Sequence, residues 1–148
     1  MMAAPPFHHP YPHLAMPHLN IQYTANLDAH TDMGELCNTL AATLVALRGE
    51  DGASPLFPLT GTRVMAWPAP HFAVADGKPG RAFIYLNLLI TPGRSEALKK
   101  RAGDALLAAA NAHLDAVFAQ HAVGMTLHID EAAPVYEGKR SNLAAHLA

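Results

Sequence analysis

The sequence predicts one α/β (α+β) domain: four main strands in a single sheet, with two helices packed on one face of it. Three observations predict this class. Four segments have the alternation or dense apolar content of strands, two have the stripe of amphipathic helices, and their order is β-α-β followed by β-α-β. Each helix has one apolar stripe to bury, so both helices belong on the same side of the sheet. The opposite side then needs a partner, most simply further copies of the chain in a closed cyclic oligomer.

Residues 1–15, MMAAPPFHHPYPHLA, hold Pro5, Pro6, Pro10 and Pro12 without helical or strand periodicity, which predicts an extended or disordered tail. From Met16 the text becomes MPHLNIQYTANL, where Leu19, Ile21 and Tyr23 alternate with Asn20 and Gln22. This is the period of a half-buried strand, expected over Pro17 to Tyr23. The domain is therefore expected to span 17–148, behind an N-terminal extension of residues 1–16.

Asp32 followed by Glu35 has the spacing of a capping box, and Leu36, Leu40, Leu44 and Leu47 then share one helical face until Gly49. A polar loop, Gly49 to Pro55, leads to a short strand at Thr62 to Trp67 that Pro68 is expected to end. Ala82 to Ile90 is almost continuously apolar, which suits a strand that lies centrally or is covered on both faces. Ser95 can cap a long helix with Leu98, Ala102, Ala105, Leu106, Ala109, Val117 and Phe118 on its apolar side and Gly124 as its terminator. Met125, Leu127 and Ile129 alternate with polar residues in the last strand, before a proline-containing connection and a short apolar piece.

With 148 residues and 51% hydrophobic content the chain can bury one ordinary core, and hardly two. A net charge of -2 argues against non-specific nucleic-acid binding, which depends on a basic surface. The lone Cys37 cannot form an internal disulfide, and the first Lys or Arg is Arg48, so neither an oxidising compartment nor a charged leader is indicated. The longest apolar run is far too short for a membrane span. A cytoplasmic protein is expected, with no membrane or nucleic-acid partner.

A proline at the start of a chain has a free secondary amine in place of an amide nitrogen. An α-amino group titrates near about 7.7–8.0, and burial or neighbouring cations lower that value. Such a group can accept and return a proton near neutrality, which is the requirement of a tautomerase base. Translation from Met16 and removal of that methionine would expose Pro17 in this form.

The PHL opening with its strand, followed by PLTGTRV, VADGKPGRAFIYLNLLI and PGRSEALKKRAG, resembles the 5-carboxymethyl-2-hydroxymuconate delta-isomerase family of the tautomerase superfamily. The likeness runs from about Pro17 to the C-terminus. It implies a homotrimer of the tautomerase β-α-β repeat, working without metal or organic cofactor in homoprotocatechuate (aromatic) catabolism. The implied reaction is ketonisation of 5-carboxymethyl-2-hydroxymuconate by a proton shift. Carried over by position, the family's base falls on Pro17 and its arginines on Arg63 and Arg94. The chemistry is compatible: an Arg fork binds a carboxylate of a polycarboxylate substrate, stabilises a developing dienolate and lowers the pKa of a nearby amine. The tail before Pro17 and the loop RGEDGASP at 48–55 depart from the family pattern.

Other residues receive plainer readings. Arg81, Arg101 and Arg140 are expected to be solvated. His8, His9 and His13 are read as tail and not as metal ligands, because ordering a flexible arm costs more than such a set returns. His18 follows the candidate base and can line the pocket, although a strand residue in that place more often simply points outward, and Cys37 is expected to be a small core residue. Two alternatives stay open: a trimeric carboxylate-binding homologue without catalysis, and a tautomerase for another 2-hydroxydienoate.

Overall fold

Alternation in the first strand puts Leu19, Ile21 and Tyr23 on its inner face, each 6% exposed or less. In the computed structural model this strand is β1 (His18–Thr24), and the residues described are 17–147. The proline-rich tail and its histidines lie outside the described residues. Asp32 does cap helix α1 (Met33–Ala46), its carboxylate accepting from the backbone N–H of Glu35 at 3.0 Å. The helix stops at Ala46, and Leu47 continues the buried stripe as an extended cap residue.

Strand β2 (Arg63–Ala69) runs through Pro68, which was expected to end it. The reason is position: in the order β2-β1-β3-β4, β2 is an edge strand, where a residue without an N–H can face away from the ladder. Strand β3 (Arg81–Ile90) is central, as its apolar content predicts, between β1 and β4 (Ala122–Glu131). Its burial nevertheless alternates. Ala82, Ile84, Leu86, Leu88 and Ile90 are buried, whereas Phe83, Tyr85, Asn87 and Leu89 look onto the opposite, helix-free face.

Helix α2 (Glu96–Gln120) begins at the expected cap, the Ser95 hydroxyl accepting from the Leu98 N–H at 3.2 Å. Its end and its face differ from expectation. The chain turns extended at His121 and enters β4 at once, so Gly124 lies inside a strand and terminates nothing. The buried stripe is Leu98, Ala102, Leu106, Ala110, Leu114 and Val117, while Phe118 is 41% exposed. Alanines surround this helix, so several stripes look alike in the sequence, and the sheet selects the one that carries Leu106 and Leu114.

Both β-α-β units are parallel crossovers, joined at the antiparallel pair β1–β3. One core forms between the helices and the inner sheet face, and each fully buried leucine there contributes about 1.5–3 kcal/mol. Because β1 and β3 are antiparallel, the starts of β1 and β2 meet the ends of β3 and β4 at one end of the sheet. Arg63, His18, Leu89 and Asp130 form a row across it. Among the described residues no helix is long and apolar enough to cross a membrane.

Candidate active site

A cavity of about 590 Å³ opens at that end of the sheet, within the usual range of small-molecule sites. His18 and Arg63 come from the starts of β1 and β2, and Thr60 from the short helical turn Leu59–Gly61 before β2. Leu89, Ile90 and Thr91 come from the end of β3. The remaining wall is the segment after β4, which returns across the sheet end as residues 132–143 and brings Glu137, Lys139 and Arg140 to the cavity.

Pro17 is buried directly before His18 and is not itself among the lining side chains. Arg63 faces His18 across the parallel ladder, and its guanidinium donates to the His18 ring. Burial first, and the Arg63 charge second, lower the His18 pKa below its ordinary 6.5. His18 therefore presents a neutral acceptor to Arg63 near neutral pH. Of the two readings open to it, pocket lining and an outward position, the structure shows the first: His18 leaves the core face and lines the cavity.

Arg94 sits elsewhere. It is half-buried, with its guanidinium carbon 4.8 Å from the centre of the Phe57 ring, and donates to the carbonyls of Thr91 and Leu56 at 3.3 Å each. Burial lowers its pKa, and the carboxylate of Glu131 opposes that shift. Arg94 is not a lining residue, but it holds the backbone of Thr91, which is one. The Thr91 hydroxyl is buried and has no hydrogen-bond partner among the described residues.

Sequence reasoning missed part of the cationic set. Arg140 is exposed, as expected, and it also lines the cavity beside Lys139, which pairs with Glu137 at 2.5 Å. Only proximity to Pro134 and a polar run marked this stretch, and no periodicity places it. Arg81 is also more than solvated, since Asp76 accepts from it at 3.1 Å. Loop 48–55 folds on itself: the Asp51 carboxylate accepts from the Ala53 and Ser54 N–H groups and the Ser54 hydroxyl, which hold its pKa near about 2.

A β-α-β repeat with a proline leading its first strand, and cations gathered at that strand's head, is the arrangement that the resemblance to the tautomerase superfamily implies. The family model described as 5-carboxymethyl-2-hydroxymuconate isomerase matches residues 17–147, and the chain belongs to that family. A crystal structure of a 5-carboxymethyl-2-hydroxymuconate delta-isomerase is 44% identical, with TM-score 0.84, covering 91% of this chain and 95% of that one. The 5-carboxymethyl-2-hydroxymuconate isomerase from Deinococcus radiodurans R1 is 35% identical with TM-score 0.78, over 91% and 96%. The Escherichia coli 5-carboxymethyl-2-hydroxymuconate Delta-isomerase is 26% identical over 130 residues, 88% of this chain and 98% of its own. A fused 4-OT symmetric trimer, 23% identical with TM-score 0.52 over 77% and 85%, shares the fold.

Proposed function

We propose that this chain is a 5-carboxymethyl-2-hydroxymuconate delta-isomerase of homoprotocatechuate catabolism, with Pro17, freed as an N-terminal amine, as its acid/base. The observation that carries this reading is the head of the sheet: Pro17 immediately precedes His18 at the cavity, and Arg63 stands directly across from it. Residues 1–16 then form an extension that must be absent from the active chain, since an amide nitrogen at Pro17 has no useful basicity.

In this mechanism Arg63 binds a substrate carboxylate, and neutral His18 accepts from Arg63 and restricts where that guanidinium points. The Pro17 amine removes the proton of the 2-hydroxyl group. The dienolate so formed is stabilised by the nearby cation, and a proton returns to a carbon of the conjugated chain. The enol becomes a ketone with no atom gained or lost. Arg94, tied to the Thr91 carbonyl, serves the site by holding the cavity wall and by adding positive potential behind it.

The functional unit in this reading is a cytoplasmic homotrimer. The helix-free sheet face supports self-association: it exposes Met65, Trp67 and Phe83 at 43%, 56% and 36%, beside polar Asn20, Gln22 and His128, a mixture suited to an interface. The fused 4-OT relatives of this fold are described as trimers. The test is ketonisation of 5-carboxymethyl-2-hydroxymuconate and of other 2-hydroxymuconates by protein beginning at Pro17, followed as loss of the conjugated enol absorbance. Turnover with preference for the carboxymethyl compound is expected. Turnover without preference points to another 2-hydroxydienoate, and binding without turnover to a non-catalytic homologue.

A further inference from the structure

We propose that Lys139 and Arg140 form a second anion subsite, which takes the carboxylate of the substrate's carboxymethyl arm and sets the preference for a tricarboxylate over a dicarboxylate. The inference rests on the isomerase reading for the identity of its ligand. It does not rest on that reading for the existence of the subsite.

Four observations lead to it. Arg63 supplies a cation from the start of β2, next to the proposed base. Lys139 and Arg140 reach the same cavity from a different part of the chain, the irregular segment after β4. Apolar Leu89, Ile90 and Leu143 line the cavity as well, giving a surface on which a conjugated carbon chain can lie. Glu137 is the only carboxylate among the lining residues, and its pairing with Lys139 at 2.5 Å neutralises it.

The balance is therefore three cations against one paired carboxylate around a partly apolar cavity. A dicarboxylate engages Arg63 through one end and leaves part of that potential unused. A branched tricarboxylate has a further carboxylate to offer. Arg140 has no ionic partner among the described residues, so its five donors are available to that group. Both residues are exposed, and this makes the subsite one of selectivity and not of proton transfer.

The experiment is calorimetric binding of trans-aconitate, a planar tricarboxylate, and trans,trans-muconate, a dicarboxylate, to the oligomer as purified. Neither probe carries the 2-hydroxyl group, so turnover does not intervene. Wild type is expected to prefer trans-aconitate. Arg140→Gln and the double change Lys139→Gln with Arg140→Gln should weaken trans-aconitate by about 10–100-fold, the contribution of a charge-assisted contact, and change muconate by less than about threefold. Arg63→Gln should weaken both probes. Absence of a preference in wild type, or variants that weaken both probes equally or neither, overturns the subsite. The isomerase assay separates the two readings: lost turnover with an intact, Arg140-dependent preference removes the enzyme reading alone, and normal turnover with no such dependence removes the subsite alone.

Discussion

Arg63 stands opposite His18 at the first rung of the β1–β2 ladder, and its guanidinium donates to the imidazole. Burial first and this cation second favour the neutral imidazole, which in turn orients the guanidinium one residue from Pro17. Substitution of Arg63 therefore alters two things that can be measured separately.

Arg63→Gln should raise KM and lower kcat, with kcat/KM falling about 10–1,000-fold, as expected when a charge-assisted contact to both substrate and dienolate is lost. In the same variant the His18 ring should titrate closer to 6.5, because one of the two causes of its depression is gone. NMR titration of the His18 ring reads this directly, and an unchanged midpoint would remove the coupling.

Intact mass should show active protein beginning at Pro17. Protein that retains residues 1–16 should lose about 10²–10⁴-fold in rate, the typical contribution of a positioned acid/base group, and should still bind carboxylates. Equal activity of the two forms would end the assignment of Pro17.

Arg94 combines a ring contact with two carbonyl contacts, a geometry that lysine does not reproduce. Arg94→Lys should lower the melting temperature and also reduce turnover, by disturbing Thr91. Normal stability with impaired binding would instead place the guanidinium in direct contact with substrate.

Stability should fall at both ends of the pH scale for identifiable reasons. The Tyr23 hydroxyl is pushed up to about 12 by burial first and by its 2.7 Å hydrogen bond to Asp28 second. Its folded pKa is raised, so its contribution is complete below about pH 10 and disappears as pH rises through 12. His18 has the opposite sense. The unfolded state binds its proton more readily, so stability falls as pH drops below 6.5. Tyr23→Phe should flatten the alkaline limb of a denaturation profile and leave the acid limb unchanged.

Gly124 pairs with Phe83 across the β3–β4 ladder, and a Cβ at position 124 would lie 2.7 Å from that ring. Gly124→Ala should cost about 1–3 kcal/mol by overpacking. Combining it with Phe83→Ala should recover most of that loss, and strict additivity of the two changes in chemical denaturation would disprove the contact.

Much of the fold was legible in the sequence because local signals agreed with one another. Asp32 and Ser95 cap their helices as their spacing predicts, and alternation placed Leu19 and Ile21 inward. The readings that needed correction depended on neighbours. Pro68 continues a strand because β2 is an edge, and Gly124 belongs to one because β4 pairs with β3 through it, opposite Phe83.

By itself, the sequence determined the β-α-β repeat and the single core, since strand period and helix period are local properties of a chain, and its resemblance to a known family supplied the candidates Pro17, Arg63 and Arg94. Only the tertiary structure decided which stripe of α2 is buried, that Arg94 donates to the Thr91 and Leu56 carbonyls, and that Lys139 and Arg140 join Arg63 at the cavity. Those relations link residues tens of positions apart. No local period encodes the return of an irregular segment across the end of a sheet.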